Sequence, residues 1–390
     1  MIYVGIDVAK SKHDCCILSD GAVILKDVFT FPNSADGFAS LFESISALSL
    51  DETSVCVGFE STGHYSNNLK RFLLNCGFNI VEFNPLAVSL FRKAQSLRKT
   101  KTDKTDARCI AAMLLSCKSE VSMPVPEQIT ELKSLTRARH RLVQYRSRLK
   151  ISLARLVDTV FPELANVVWS TNQKSVHTML LELPNPQAIS TCHLKRLTNI
   201  LRQSSHGKYG RDKAIQVRDL ATQSIGSNSP ALAFELQQTI RLIKSVQSEI
   251  DLMDAQIRQL VDELETPLMT IPGISYTLAA IILAEIGDIS RFATPAKLLA
   301  FAGMEPSTYQ SGKYSATNTP MVKRGSSYLR WAVLQAARLV SMRDPTFRAF
   351  MLKKRSEGKH HFVAMCHVGK KLTRVIFQML STGCAFSPQS

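Results

Sequence analysis

The sequence predicts an α/β head followed by a mainly helical body. Three observations carry this. Within residues 1–90, short runs of β-branched and aromatic residues alternate with stretches of helical spacing. Beyond residue 130, leucines and isoleucines recur at intervals of three, four and seven. Charge divides in the same way. Residues 1–90 hold five basic and ten acidic residues, net −5, whereas the 390-residue chain carries +16, so the remainder is about +21. An acidic head on a basic body points to a polyanion held by the body and to a use for carboxylates in the head.

Ile2–Val8 reads as a short apolar strand closing on Asp7. His13–Ser19 and Ala22–Phe31 read as two more strands, joined by a Ser19-Asp20-Gly21 turn. Ala35–Leu48 has helical spacing, with Phe38, Leu41, Phe42, Ile45 and Leu48 on one face. Ser54–Glu60 is a strand that again ends in a carboxylate. Asn67–Cys76 is a helix stopped by Gly77, and Phe78–Phe83 is a strand before Asn84-Pro85. These elements make a mixed sheet with helices packed on it. A basic, Ser/Thr-rich segment runs from Arg92 to Arg108, and Ala107–Ser116 is a helix.

Two long amphipathic helices follow. Leu135, Leu142, Leu149 and Leu156 repeat every seven residues in the first. In the second, Ile243, Val246, Ile250, Met253, Ile257, Leu260 and Leu264 alternate three and four apart, which predicts a coiled-coil seam. Residues 160–230, with Pro184, Pro186, Gly207, Gly210 and Pro230, read as an insertion or a mobile connection. From about 267 the chain is helical again, with loops near Pro306–Gly312 and Thr317–Ser327.

Several classes are disfavoured. The start, MIYVGIDVAKSKHD, lacks the basic and apolar regions of a signal peptide. The longest apolar stretch, Leu278 to Ile289, carries Glu285 and Asp288 and is too short to span a bilayer. Nine cysteines are scattered without a C-x-x-C pair, which argues against a zinc or disulfide framework and for a reducing cytoplasm.

Asp7 and Glu60 close predicted strands, and Asp103 and Asp106 stand three apart at the head of a helix, on one face. Four such carboxylates could hold two Mg²⁺ ions and support phosphodiester chemistry. As a plainer alternative, Asp103 and Asp106 are a helix cap and a first-turn acid. Lys99, Lys101 and Lys104 beside them suit a phosphate backbone entering a metal site.

These residues carry a resemblance. Gly5-Ile6-Asp7-Val8-Ala9-Lys10, Glu60-Ser61-Thr62-Gly63 and Lys101-Thr102-Asp103 with Asp106-Ala107 resemble the Asp-Glu-Asp-Asp signature of the DEDD insertion-sequence transposases of the IS110 type. Ile271-Pro272-Gly273-Ile274, Gly287-Asp288-Ile289, Ala302-Gly303-Met304, Gln310-Ser311-Gly312 and Lys323-Arg324-Gly325 with Leu329-Arg330 are similar to that family's second domain. The resemblance covers both ends; residues 160–230 fall outside it, and the chain reads as long for the family.

The resemblance implies a RuvC-like, ribonuclease-H-fold catalytic domain at 1–125, a coiled-coil linker with an unplaced segment at 126–266, and a C-terminal transposase domain at 267–390. It also implies a DNA transposase that uses Mg²⁺ at Asp7, Glu60, Asp103 and Asp106, and Ser311 as nucleophile. Ser307 and Ser315 are the competing serines. The implied partners are donor and target DNA, a structured bridge RNA and further copies of the chain, in a prokaryotic cytoplasm at the nucleoid. A junction endonuclease using water and a non-catalytic nucleic-acid scaffold stay open as alternatives.

The basic elements extend the expectation. The helix from Leu132 to Leu156 carries Arg137, Arg141 and Arg148 among eight cations, a face that self-repels unless a polyanion covers it. Ile271-Pro272-Gly273-Ile274 before Leu278–Glu285 resembles a helix-hairpin-helix turn whose backbone N–H groups take a phosphate, or it is a tight loop without a ligand. Lys313, Lys323, Arg324 and Arg330 follow Ser311 closely enough to neutralise a phosphate there.

Overall fold

The computed structural model describes residues 1–48, 51–61, 63–95, 103–116, 126–307, 310–311, 314–315 and 319–388. Its contacts divide into two compact units, Met1–Val125 and Pro126–Ser390.

The first unit is built on a five-stranded mixed sheet. β1 (Ile2–Val8), β2 (Lys12–Ser19) and β3 (Ile24–Pro32) form an antiparallel meander, while β4 (Val55–Glu60) and β5 (Asn79–Phe83) add parallel strands beside β1. The spatial order is β3-β2-β1-β4-β5. Strand periodicity sorts the side chains cleanly between two faces. One face sends Val4, Ile6, Ile17, Val57, Phe59 and Ile80 against α1 (Ala35–Ser46) and α2 (Ser66–Asn75), which contribute Phe38, Leu41, Ile45, Leu69 and Leu73. The other face packs on α3 (Pro85–Gln95) and α4 (Asp103–Ser116) through Val81, Phe83, Val88, Ile110, Met113 and Leu114.

α4 lies unusually close to the sheet because two glycines face it. Gly5 and Gly58 are direct partners across β1 and β4. A Cβ on Gly5 would stand 2.3 Å from the Ala111 backbone nitrogen, and one on Gly58 would stand 2.7 Å from the Leu114 side chain. Any side chain at Gly5 would lift the helix.

The strands fall within two residues of their expected bounds. α4 begins four residues earlier than expected, so Asp103 and Asp106 lie inside its first turn. α3 is an addition to the expected elements. Asn84-Pro85 reads as a stop, yet proline suits a first helical position, and the Asn84 side chain accepts the Leu86 N–H at 2.9 Å. In the β2–β3 turn the left-handed residue is Ala22, at φ 62°, one position after Gly21.

The second unit is helical. α5 (Glu127–Val160) is followed by α6 (Lys174–Glu182), α7 (Pro186–Ser190), α8 (Leu194–Ser204), α9 (Arg211–Thr222) and α10 (Pro230–Glu263). Arg139 pairs with Asp254 at 2.5 Å, Arg146 with Gln247, and Arg155 with Glu235 at 3.3 Å. Partners descend α10 as they ascend α5, so the two long helices run antiparallel. Ile243, Val246, Ile250 and Ile257 are buried, but of the heptad leucines on α5 only Leu156 is, since arginine pairing fills the middle of the contact.

Residues 160–230 correct the expectation of an insertion or mobile connection. Phe161, Leu164, Val176, Met179, Leu180, Leu197, Leu201 and Val217 share one core with Leu156 and Val160 of α5 and Leu236 and Ile240 of α10. The prolines and glycines there start and stop short helices: Pro186 and Pro230 open α7 and α10, and Gly210 caps α9.

α11 (Tyr276–Ile286), α12 (Pro295–Phe301), α13 (Ser327–Arg343), α14 (Pro345–Ser356) and α15 (His361–Thr382) complete the unit. A two-stranded hairpin, β6 (Gln310–Ser311) and β7 (Tyr314–Ser315), stands between α12 and α13. α11 is buried from Leu278 to Ile286, which accounts for its apolar run. Among the described residues no helix is long and apolar enough to cross a membrane.

Candidate active site

The close approach of α4 collects the acids. Asp7 lies two residues beyond Gly5, and Glu60 two beyond Gly58, so both carboxylates emerge on the α4 face, at neighbouring strand ends. Asp106 sits one residue before Ala107, whose carbonyl oxygen touches the Gly5 position, and its side chain is buried. Asp103 opens the same helix; its side chain, like that of Lys104, lies outside the described residues, as do Lys99, Lys101 and Lys313 altogether.

Two further residues belong to this face. Asp14 is the cross-strand partner of Asp7, is buried, and accepts a hydrogen bond from the Thr30 hydroxyl. Arg92 of α3 donates to Asp106 at 2.7 Å. That hydrogen bond holds the guanidinium above its ordinary pKa, with added attraction from the charges of Asp106 and Glu60. A cation therefore already lies within the joint field of two predicted ligands. Sequence pattern alone marks neither residue. Asp14 becomes visible only once the hairpin register is known, and Arg92 only once residues 85–95 are read as a helix.

The chemistry of this donor set fits a hard divalent ion, because the groups are carboxylate oxygens. Among the described residues no three His, Cys, Asp or Glu side chains stand close enough together to hold a metal. Asp106 faces Arg92 instead.

The second unit places the remaining candidates. Residues 305–307 pair with 320–322 through Ser307 N–H to Pro320 O at 2.8 Å and Val322 N–H to Glu305 O at 2.9 Å. This stalk carries the β6–β7 hairpin, and Ser311 pairs with Tyr314 in it. The Ser311 side chain lies outside the described residues. Lys323 and Arg324 are exposed at the base of the stalk, where Lys323 adopts φ 58°. Arg330 clips this base, donating to Ala302 O at 3.1 Å and Lys323 O at 3.2 Å.

Gly273 sits at φ 98°, and a Cβ there would press on the Leu339 backbone at 3.1 Å. Packing against α13 thus explains this glycine. Arg137 makes a two-pronged pair with Glu285, at 2.8 and 3.0 Å, and Ser326 donates to the same carboxylate at 2.7 Å. Burial would raise the Glu285 pKa, but the bonds from Arg137 and Ser326 and the charge of Lys133 hold it below its ordinary value. Arg137 is therefore engaged inside its own unit. Arg141 and Arg148 are exposed, with no ionic partner among the described residues.

The chain is similar to known proteins over nearly its whole length. A family model described as "Transposase", of the DEDD IS110 type, matches residues 4–162, and one described as "Transposase IS116/IS110/IS902 family" matches 265–352. An uncharacterized 44.8 kDa protein of insertion element IS116 from Streptomyces clavuligerus is 26% identical over 99% of this chain and 96% of its own length. A pilin gene-inverting protein of Moraxella bovis is 24% identical over 97% of this chain and 95% of its own. The transposase of element IS1328 from Yersinia enterocolitica is 24% identical over 98% of both. These matches run through residues 160–230, so that segment is shared with the relatives and the chain is of ordinary length beside them. The chain belongs to the IS110 family of DEDD insertion-sequence transposases, enzymes of DNA transposition and recombination.

Proposed function

We propose that the chain excises and inserts an insertion-sequence element by cleaving and exchanging DNA strands, guided by a structured bridge RNA. The observation that carries this is the glycine-seated helix α4, which sets Asp106 on the same face and at the same end of the sheet as Asp7 and Glu60. In this reading the first unit is a RuvC-like, ribonuclease-H-fold domain. Asp7, Glu60, Asp103 and Asp106 would hold Mg²⁺, which would lower the cost of charge build-up at the reacting phosphate.

The chain's own groups do the rest. Ser311 at the hairpin tip attacks a DNA phosphate supplied with acids from another protomer. A Ser311 Oγ–P bond forms as the bond from phosphorus to a sugar oxygen breaks, and the freed sugar oxygen takes up the proton that the Ser311 hydroxyl loses. Attack by the hydroxyl of a second strand then releases Ser311, so the phosphodiester energy is conserved. Lys323 and Arg324 offset the added charge on the phosphate. Arg330 positions them by clipping the loop base. Arg141 and Arg148 take backbone phosphates, and the second unit, with 35 of the 48 basic residues and 19 of the 32 acidic ones, carries the entire net charge of +16.

The test is strand exchange on a donor–target DNA pair with the RNA that co-purifies with the protein. Asp7→Asn and Asp106→Asn should each abolish exchange and Mg²⁺ dependence while leaving thermal unfolding close to that of the parent. Normal exchange by the double variant would overturn the assignment of these acids.

A further inference from the structure

Arg148, placed above on a backbone phosphate, also lines a groove in the second unit. The groove encloses about 530 Å³ and is walled by one stripe of α5, with Ile281 of α11 and Trp331 of α13 opposite. The stripe presents His140, Gln144 and Arg148, spaced four apart along one helix face. Trp331 keeps 40% of its surface exposed although its neighbours Ala332 and Val333 are buried. Its ring meets His140 at 6.0 Å, edge to face, and His140 in turn meets Tyr328 at 5.0 Å. The rings are thus braced from one side, leaving the indole open to the groove.

The polar groups around it share a bias. The described residues that line the groove include no Asp or Glu. Arg139 is taken by Asp254, but Arg148 has no ionic partner among the described residues. Burial, and then the charge of Arg139, lower the His140 pKa, so its ring is neutral near pH 7 and exchanges a hydrogen bond with Gln144 at 2.9 Å. An exposed indole, an amide, a neutral imidazole and an unpaired guanidinium together match an unpaired nucleobase with its flanking phosphate. A duplex keeps its base faces stacked and cannot offer one to the indole. The signature is invisible in sequence, because the cation comes from residue 148 and the aromatic ring from residue 331.

We propose that this groove is a single-strand binding site in which a base stacks on Trp331 while Arg148 holds the adjoining phosphate. The proposal rests on the nucleic-acid function above and adds to it a strand-state preference and a location.

The chain has only two tryptophans, Trp169 and Trp331, so the stacking can be read directly. In the full-length Trp169→Phe variant, Trp331 is the sole indole. Mixed-sequence single-stranded RNA, single-stranded DNA and the matching DNA duplex are titrated, following indole fluorescence and the anisotropy of a labelled strand together. Quenching by a single strand of either sugar, and none by the duplex, is expected, with the stronger quencher identifying the source of the base. In otherwise parental protein, Trp331→Ala should weaken single-strand binding by roughly 5- to 150-fold, the value of one stacked base. Trp331→Phe should restore most of it, and duplex binding should not change. Anisotropy that reports tight single-strand binding without quenching, or with an unaltered Kd in Trp331→Ala, would overturn the stacking site and leave the enzyme reading intact. Failure of the parental protein to bind any strand or duplex would instead overturn the nucleic-acid reading beneath it.

Discussion

Adding one methyl group at Gly5 should disable the enzyme by lifting the helix that carries Asp103 and Asp106. The added carbon would stand 2.3 Å from the Ala111 nitrogen and 2.5 Å from the Ala107 carbonyl oxygen, whereas ordinary contact begins near 3.4 Å. Both atoms are helix backbone, so no rotamer change relieves the clash. α4 must rise by about 1 Å, and overpacking of this kind costs about 1–3 kcal/mol. Asp103 and Asp106 travel with the helix, away from Asp7 and Glu60. A displacement of about 1 Å at a catalytic group costs on the order of 100-fold in rate. Gly5→Ala should therefore show a modest fall in Tm and a far larger loss of strand exchange, measured on the same preparation. Gly58→Ala is the graded control, since its nearest obstacle is the movable Leu114 side chain, and Gly21→Ala is the neutral one, with nothing nearer than 3.8 Å. Parental Tm together with parental exchange in Gly5→Ala would refute the claim that helix seating aligns the acids.

Two further predictions concern stability. His177 is buried in the second unit, where burial and the charges of Lys244 and Lys150 push its pKa down to about 4. The unfolded chain binds this proton near pH 6.5, so stability is fully present above that value and falls as pH drops toward 4, by about 2–3 kcal/mol. His177→Gln should flatten the pH 7 to 4.5 arm of a urea-unfolding series, and an unchanged slope would contradict the assignment. Glu285→Gln removes the charge that balances Arg137; because Arg137 is partly exposed, the expected loss is about 1–3 kcal/mol, below that of a fully buried pair. Urea midpoints check this, and a variant as stable as the parent would show that the pair contributes nothing net.

The first unit is the more legible part of the sequence because its rules are local. Strand alternation, the Gly77 stop and the carboxylates at the ends of β1 and β4 can each be read within a few residues. What cannot be read there depends on contacts distant in sequence. Asp14 joins Asp7 through hairpin register, and Arg92 reaches Asp106 only because Pro85 starts a helix rather than ending a strand. In the second unit the all-basic face of α5 suggests free cations. Arg137, Arg139 and Arg155 find carboxylates on α10 and α11, about a hundred residues away, which no local pattern announces. The 160–230 segment misleads for a related reason. Its prolines and glycines bound short helices such as α8, whose apolar face of Leu197, Ile200 and Leu201 finds its core only against the ends of α5 and α10.

In the proposed reaction Ser311 becomes covalently joined to DNA under the control of acids in the first unit. The direct measurement traps the reaction of the RNA-loaded protein with Mg²⁺ on a nicked DNA substrate and maps any protein–DNA link by mass spectrometry. The expected result is a phosphoserine link at Ser311 that vanishes in Ser311→Ala and in Asp106→Asn. A link at Ser307 or Ser315, or full product from Ser311→Ala with no link anywhere, would contradict it, the last result identifying water as the nucleophile.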